Sequence, residues 1–182
     1  MTKTFRTVAA GVALFAAVGM GSAAHAQVSQ SADASAEILA ALQLTNDASL
    51  DFGSLILNAT STGGTVEVNG SGTRTCNGQV ICGPAGSEQP AQFTVTGAAN
   101  STIDVSVQDL VNSPVTLTHT ANVGSTSANH NIELTALDDG SLGGFTAFSG
   151  SETFNVGGTI NLDGSEIAGT YEGSFSVTVA YQ

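Results

Sequence analysis

The sequence predicts an all-β fold, a sandwich or barrel, on three observations. Beyond Ser49, short runs of alternating or β-branched residues are separated by clusters of Gly, Asn, Asp and Ser. No stretch there keeps the 3.6-residue apolar period of a helix. Charged residues make up only 10% of the chain while 41% is apolar, so the chain has enough hydrophobic surface to fold rather than remain disordered.

Residues 1–26 read as a removable secretory leader. Lys3 and Arg6 supply the positive start, Val8 to Val18 is an apolar run too short to span a bilayer, and Ala24-His25-Ala26 is a small-x-small cleavage pattern. Gln27 is then the mature N-terminus, and the remaining length fits an extension, 27–38, followed by one domain, 39–182. Past Ala26 the chain keeps Arg74 as its only Lys or Arg against 15 Asp and Glu. Such a chain repels phosphate backbones and anionic headgroups, which excludes nucleic-acid and membrane-surface partners. No later run is apolar over the length a spanning helix needs, so no membrane insertion is expected once the leader is gone. Arg74 is also the one site after the leader that trypsin could cut.

From the N-terminus, Val28, Ala32, Ala34, Ala36, Ile38, Ala40, Leu42 and Leu44 share one parity, the pattern of a strand with one apolar face. A short helix over 34–42 is the alternative, since Ala, Glu and Leu are good helix formers. Strands are expected at 50–57, 65–69, 91–97, 102–107, 115–119, 132–137, 152–156, 159–162 and 173–181. Residues 58–64 and 83–90 are loops by composition. Asp138-Asp139-Gly140 and Asp163-Gly164-Ser165 are turns, with Asp side chains capping the local backbone. Cys76 and Cys82, an even pair in an exported chain, are expected to form a disulfide. A two-residue hairpin turn at Asn77-Gly78 competes with it: that register offsets the two cysteines by roughly 10 Å, beyond a disulfide's reach. The final segment alternates Phe175, Val177, Val179 and Tyr181 with small polar residues or Ala, giving one apolar face.

The chain shows no Gly-x-Ser-x-Gly elbow, phosphate-binding loop or His-Glu-x-x-His, and we expect neither catalysis nor a cofactor. His119 and His130, in Thr- and Asn-rich surroundings, are expected at solvated loop or strand ends. Paired acids such as Asp138-Asp139 or Asp163 and Glu166 could bind calcium weakly, but neither has an EF-hand spacing and turn chemistry accounts for both.

Gly169 is the fourteenth residue from the end and Tyr181 the penultimate one, with the alternating strand between them. This resembles the C-terminal signature of chaperone-usher pilins. The fuller pattern comprises Leu50-Asp51-Phe52-Gly53, Phe154-Asn155-Val156-Gly157-Gly158-Thr159 and the run from Gly169 to Val179. It resembles a bacterial domain-of-unknown-function family of secreted β proteins, itself similar to the spore coat protein U type of archaic pilin. The resemblance implies an incomplete immunoglobulin-like sandwich completed by donor-strand exchange. Val28, Ala32, Ala34, Ala36 and Ile38 would form the donor strand, and Gly169, Phe175, Val177, Val179 and Tyr181 the edge offered to a periplasmic chaperone or partner. An outer-membrane usher and self-association into a fibre are implied as well. The alanines are smaller than the donor residues expected in such pilins. The sequence thus points to an exported fibre subunit in the periplasm and then at the cell surface; the alternative is a monomeric secreted sandwich that binds carbohydrate or calcium.

Overall fold

The computed structural model describes residues 27–58, 60–138 and 143–182. The expected leader, and Asp139 and Gly140 of one expected turn, lie outside them. The chain divides into two units, 1–37 and 38–182. In the first, residues 27–37 form neither helix nor strand and every side chain is exposed. The second is all-β, and residues 38–42 at its start are not helical, so the helix alternative over 34–42 is not adopted.

Twelve strands among the described residues build a sandwich-like fold: β1 (Gln43–Ala48), β2 (Leu55–Leu57), β3 (Gly64–Val68), β4 (Arg74–Cys76), β5 (Val80–Cys82), β6 (Ala91–Thr96), β7 (Ile103–Val107), β8 (Val115–His119), β9 (Asn131–Asp138), β10 (Ser151–Leu162), β11 (Tyr171–Glu172) and β12 (Val177–Tyr181). The main sheet runs β1-β6-β10-β9-β8-β11, with β3 also on β10 and β4 on β3. Two antiparallel ribbons, β7–β12 and β2–β5, complete the set.

Two clusters form the core. One gathers Phe52, Val66, Val68, Val80, Ile132, Leu134, Ile160 and Leu162 between the ribbon β2–β5 and one half of the sheet. The other gathers Phe93, Val95, Ile103, Val105, Phe148, Phe154 and Val156 between the ribbon β7–β12 and the other half. Each fully buried Val or Ile contributes about 1.5–3 kcal/mol. Leu50, Leu137 and Phe175 pack against both.

The two expected strands at 152–156 and 159–162 are one strand. β10 pairs with β6 over Ser151–Val156 and then with β9 and β3 from Gly157 or Gly158 onward. Gly157 makes the change of partners possible: a Cβ there would lie 2.4 Å from the Val68 carbonyl oxygen. The expected strand at 50–57 shrinks to β2, because Asp51 Oδ1 accepts the Gly53 N–H at 2.7 Å and turns the chain. The strand at 173–181 likewise shortens to β12, with β11 preceding it. β1, β4 and β5 were not expected as strands. β4 and β5 are short, and although they flank the Asn77-Gly78 turn they pair with different partners, β3 and β2.

That difference reconciles the turn with the disulfide. Gly78 takes a φ of 75° in a turn, but the flanking strands do not pair with each other, so no hairpin register separates the cysteines. Cys76 and Cys82 are bonded with their Cα atoms 5.7 Å apart, tying the main sheet to the β2–β5 ribbon. Closing so small a loop contributes roughly 2 kcal/mol in the chain-entropy view.

Replacing Gly157 by Ala should force β3 and β10 apart and cost at least about 2 kcal/mol. An unchanged thermal midpoint for G157A would contradict the close approach described here.

Candidate functional site

A groove runs between the first and last segments of the folded unit. Residues 46–57 form one wall and 166–175 the other. Two adjoining cavities of about 260 and 610 Å³ lie between them and share Leu50, Phe52 and Leu117. Val115 and Leu134 floor the smaller cavity; Ile132, Ile160 and Leu162 floor the larger. Leu50, Leu55, Leu57, Tyr171 and Phe175 are only half-buried along it.

The walls offer backbone as well as side chains. β2 pairs only with β5, and β11 only with β8. Since β2 lines the larger cavity and β5 does not, the unpaired edge of β2 borders the groove. An edge of this kind presents N–H and C=O groups in the 2-residue rhythm that an added strand matches.

Arg74 holds the first wall in place. Its Nη1 donates to the carbonyls of Phe52 at 3.0 Å and Ser54 at 3.3 Å, and its Nη2 to that of Gly83 at 2.8 Å. Glu88 lies 3.8 Å away, and the Arg74 side chain is 5% exposed. The Gly86 N–H, donating at 2.8 Å, holds the Glu88 carboxylate below its ordinary range, with Arg74 adding a smaller pull. One buried cation thus fastens the 52–54 turn to the 83–88 loop through charge-assisted hydrogen bonds.

The second wall rests on a histidine. His119 ends β8 and is buried, not solvated as expected. Its Nδ1 accepts the Ala121 N–H at 3.2 Å, its Nε2 faces the Ala168 carbonyl at 3.3 Å, and Tyr171 meets its ring edge-on. A Cβ on Gly169 would lie 2.0 Å from that Nε2, so only glycine lets the chain cross the imidazole. Tyr171 Oη donates to the carbonyls of Ile167 and Asn129, and burial raises its phenol above the ordinary range. Glu166 accepts the backbone N–H groups of Asp163 and Gly164. Ser165 holds the Asp163 carboxylate below its usual range. These acids cap the turn predicted there, and no group of three or more His, Cys, Asp or Glu among the described residues is placed to hold a metal ion.

Of the residues singled out from sequence, the fold brings Gly169 and Phe175 to the groove. Phe175 stacks edge-on against Phe93, with ring centroids 6.5 Å apart. Val177, Val179 and Tyr181 are half-buried on one face of β12, packed on the second core cluster. That strand pairs only with β7, which leaves its other edge unpaired. Val28, Ala32, Ala34 and Ala36 lie in the exposed 27–37 stretch, and Ile38 is 95% exposed. Sequence reasoning missed the structural roles of Arg74 and His119. Arg74 carried a signal, as the lone cation of an acidic chain; His119 carried none.

Because the Arg74 side chain is sequestered, the folded chain should resist trypsin and be cut at Arg74 only as it unfolds. Equal cleavage rates in native buffer and in denaturant would refute the buried arrangement. Replacing Arg74 by Ala removes the guanidinium from three carbonyls, of which Ser54 keeps the Gly83 N–H, and should cost about 2–3 kcal/mol, read as a lowered denaturation midpoint. Gly169→Ala should displace the His119 ring and loosen β11, seen as faster amide exchange at Tyr171 with β7 and β12 unaffected.

No curated protein and no solved structure matches the chain. A family model does, over residues 42–181, which takes in all twelve strands. The protein belongs to the family described as a domain of unknown function (DUF4402).

Proposed function

We propose that this protein is an exported subunit of a pilus or surface fibre that receives a β-strand from a second copy in the groove between 46–57 and 166–175. The observation that carries the reading is the groove itself: an apolar floor left open where the first and last segments of the fold fail to pair. A strand laid there would satisfy unpaired backbone along β2 while its alternate side chains fill the two cavities. Covering half-buried Leu55, Leu57 and Tyr171 supplies the apolar part of the free energy.

The donor is residues 27–38. Ala32, Ala34, Ala36 and Ile38 would fall on one face of an extended strand, and twelve extended residues reach roughly 40 Å, more than a usual strand requires. Ile38 and Val28, 95% and 83% exposed, are apolar side chains that the single chain leaves in water. The small alanines suit the narrower cavity and Ile38 the wider one. In this reading the resemblance to chaperone-usher pilins supplies the wider setting: a secretory leader, a periplasmic chaperone that covers the groove and the β12 edge before assembly, and an outer-membrane usher. The reading makes the protein a structural element without catalytic chemistry.

Changing Ala34 and Ala36, both exposed, together to Asp would place two charges on the donor face. Fibres should disappear under electron microscopy, and the thermal midpoint of the subunit should stay within a degree or two. Normal fibres from A34D/A36D would overturn strand donation and favour the monomeric binding module.

A further inference from the structure

Asn-Gly occurs twice in the chain, at Asn69-Gly70 and Asn77-Gly78. The pair carries a chemistry of its own, because glycine has no side chain to shield its backbone nitrogen from the Asn side chain before it. That nitrogen can attack the side-chain carbonyl carbon: an N–C bond forms, the bond from that carbon to Nδ2 breaks, and the glycine N–H proton leaves with the amide nitrogen as ammonia. Water then opens the cyclic imide at either of its carbonyls, leaving aspartate or its β-linked isomer, isoaspartate.

The fold treats the two pairs differently. Asn69 is half-buried in the turn between β3 and β4, and its Oδ1 accepts the Ser71 N–H at 3.1 Å, the Thr73 N–H at 2.9 Å and the Ser71 hydroxyl at 2.7 Å. Its carbonyl carbon can swing to the Gly70 nitrogen only after those bonds break. Asn77 is exposed, and its side chain makes no hydrogen bond among the described residues. The main chain on either side is anchored: the Asn77 N–H donates to the Thr65 carbonyl at 2.8 Å and the Gln79 N–H to that of Gly63 at 2.9 Å. The Gly78 N–H between them, the one the reaction consumes, has no partner among the described residues. Ring closure at Asn77 therefore gives up none of the hydrogen bonds the fold has made.

We infer that Asn77 is a site of self-modification, converting to aspartate and isoaspartate while the fold holds Asn69 intact. The isoaspartyl form bears most on the structure. It routes the main chain through the side-chain carbons and so lengthens the loop that the Cys76–Cys82 disulfide closes. A Cβ on Gly78 would already lie 2.8 Å from the Gly63 carbonyl oxygen and 2.8 Å from Gly64 Cα, so the turn has no slack on that side. The added length should displace β5, and β2 paired to it, relative to β4. This chemistry is independent of strand donation.

The test is to age the purified protein in mildly alkaline buffer with its disulfide intact, then denature it and cut with trypsin at Arg74, which leaves Asn69 on one fragment and Asn77 on the other. Tandem mass spectrometry reads the conversion of amide to acid at each. Asn77 should convert at least about tenfold faster than Asn69, a factor that little more than one hydrogen bond carries, and in denaturant the two rates should draw level. Equal rates in the native protein overturn the assignment. A difference that survives in denaturant also overturns it, since the neighbouring residues rather than the fold would then set the rates. The converted protein should denature at a lower temperature than the fresh protein, whereas Asn77→Gln, whose longer side chain does not close the same ring, should keep its midpoint when aged alongside. An unchanged midpoint after conversion, or an equal loss in Asn77→Gln, overturns the displacement of β5.

Discussion

β10 is the strand on which both halves of the fold depend. Its first half lies under the cluster around Phe93 and Phe154, its second under the cluster around Ile160 and Leu162. Between them it exchanges one set of neighbours for another at Gly157 and Gly158. A side chain at Gly157 would run into the β3 carbonyl, so the partner change, and with it the placement of two covering ribbons, follows from the absence of a Cβ. Because one continuous strand serves two cores, neither ribbon can shift far without disturbing the sheet beneath it.

The two ribbons do not meet in a third hydrogen-bonded layer, and the groove is the consequence. Its walls are loops and strand ends rather than long strands, and each is held by one polar side chain reaching inward. Arg74 adds guanidinium donors to the Phe52 and Ser54 carbonyls, beside the one backbone bond from the Gly83 N–H to Ser54. His119 supports 168–171, its Nε2 facing the Ala168 carbonyl and its ring lying against Gly169 and edge-on to Tyr171. Both devices secure carbonyls from behind and leave the groove-facing edges unpaired. If the groove receives a strand as proposed, that division of labour separates folding from assembly: the wall keeps its shape before the strand arrives.

Charge supports the same division. With carboxylates on strands and loops alike and Arg74, the one Lys or Arg after residue 26, sequestered, the folded unit is strongly acidic and like copies repel at long range. The proposed association of copies then needs a specific apolar contact, and the groove sets apolar side chains beside a free strand edge.

The sequence by itself determined the all-β class, the loops at 58–64 and 83–90, the turn at Asp163 and most strand positions, because period-two alternation and glycine punctuation are local signals. β8 appears where alternation placed it, and the disulfide follows from two cysteines with no other partner. Tertiary structure decided what local pattern could not. Whether 152–156 and 159–162 are one strand depends on how closely β3 approaches Gly157, and whether Asn77-Gly78 makes a hairpin depends on β4 and β5 finding different neighbours. The groove is wholly of this kind. Leu50, Phe52, Tyr171 and Phe175 read as ordinary alternating apolar residues, and only the packing of distant segments around β10 sets them along one groove of the folded unit. The burial of Arg74 and His119 is likewise invisible to periodicity, since a charge or an imidazole in a polar stretch reads as solvated until the carbonyls and rings that surround it are known.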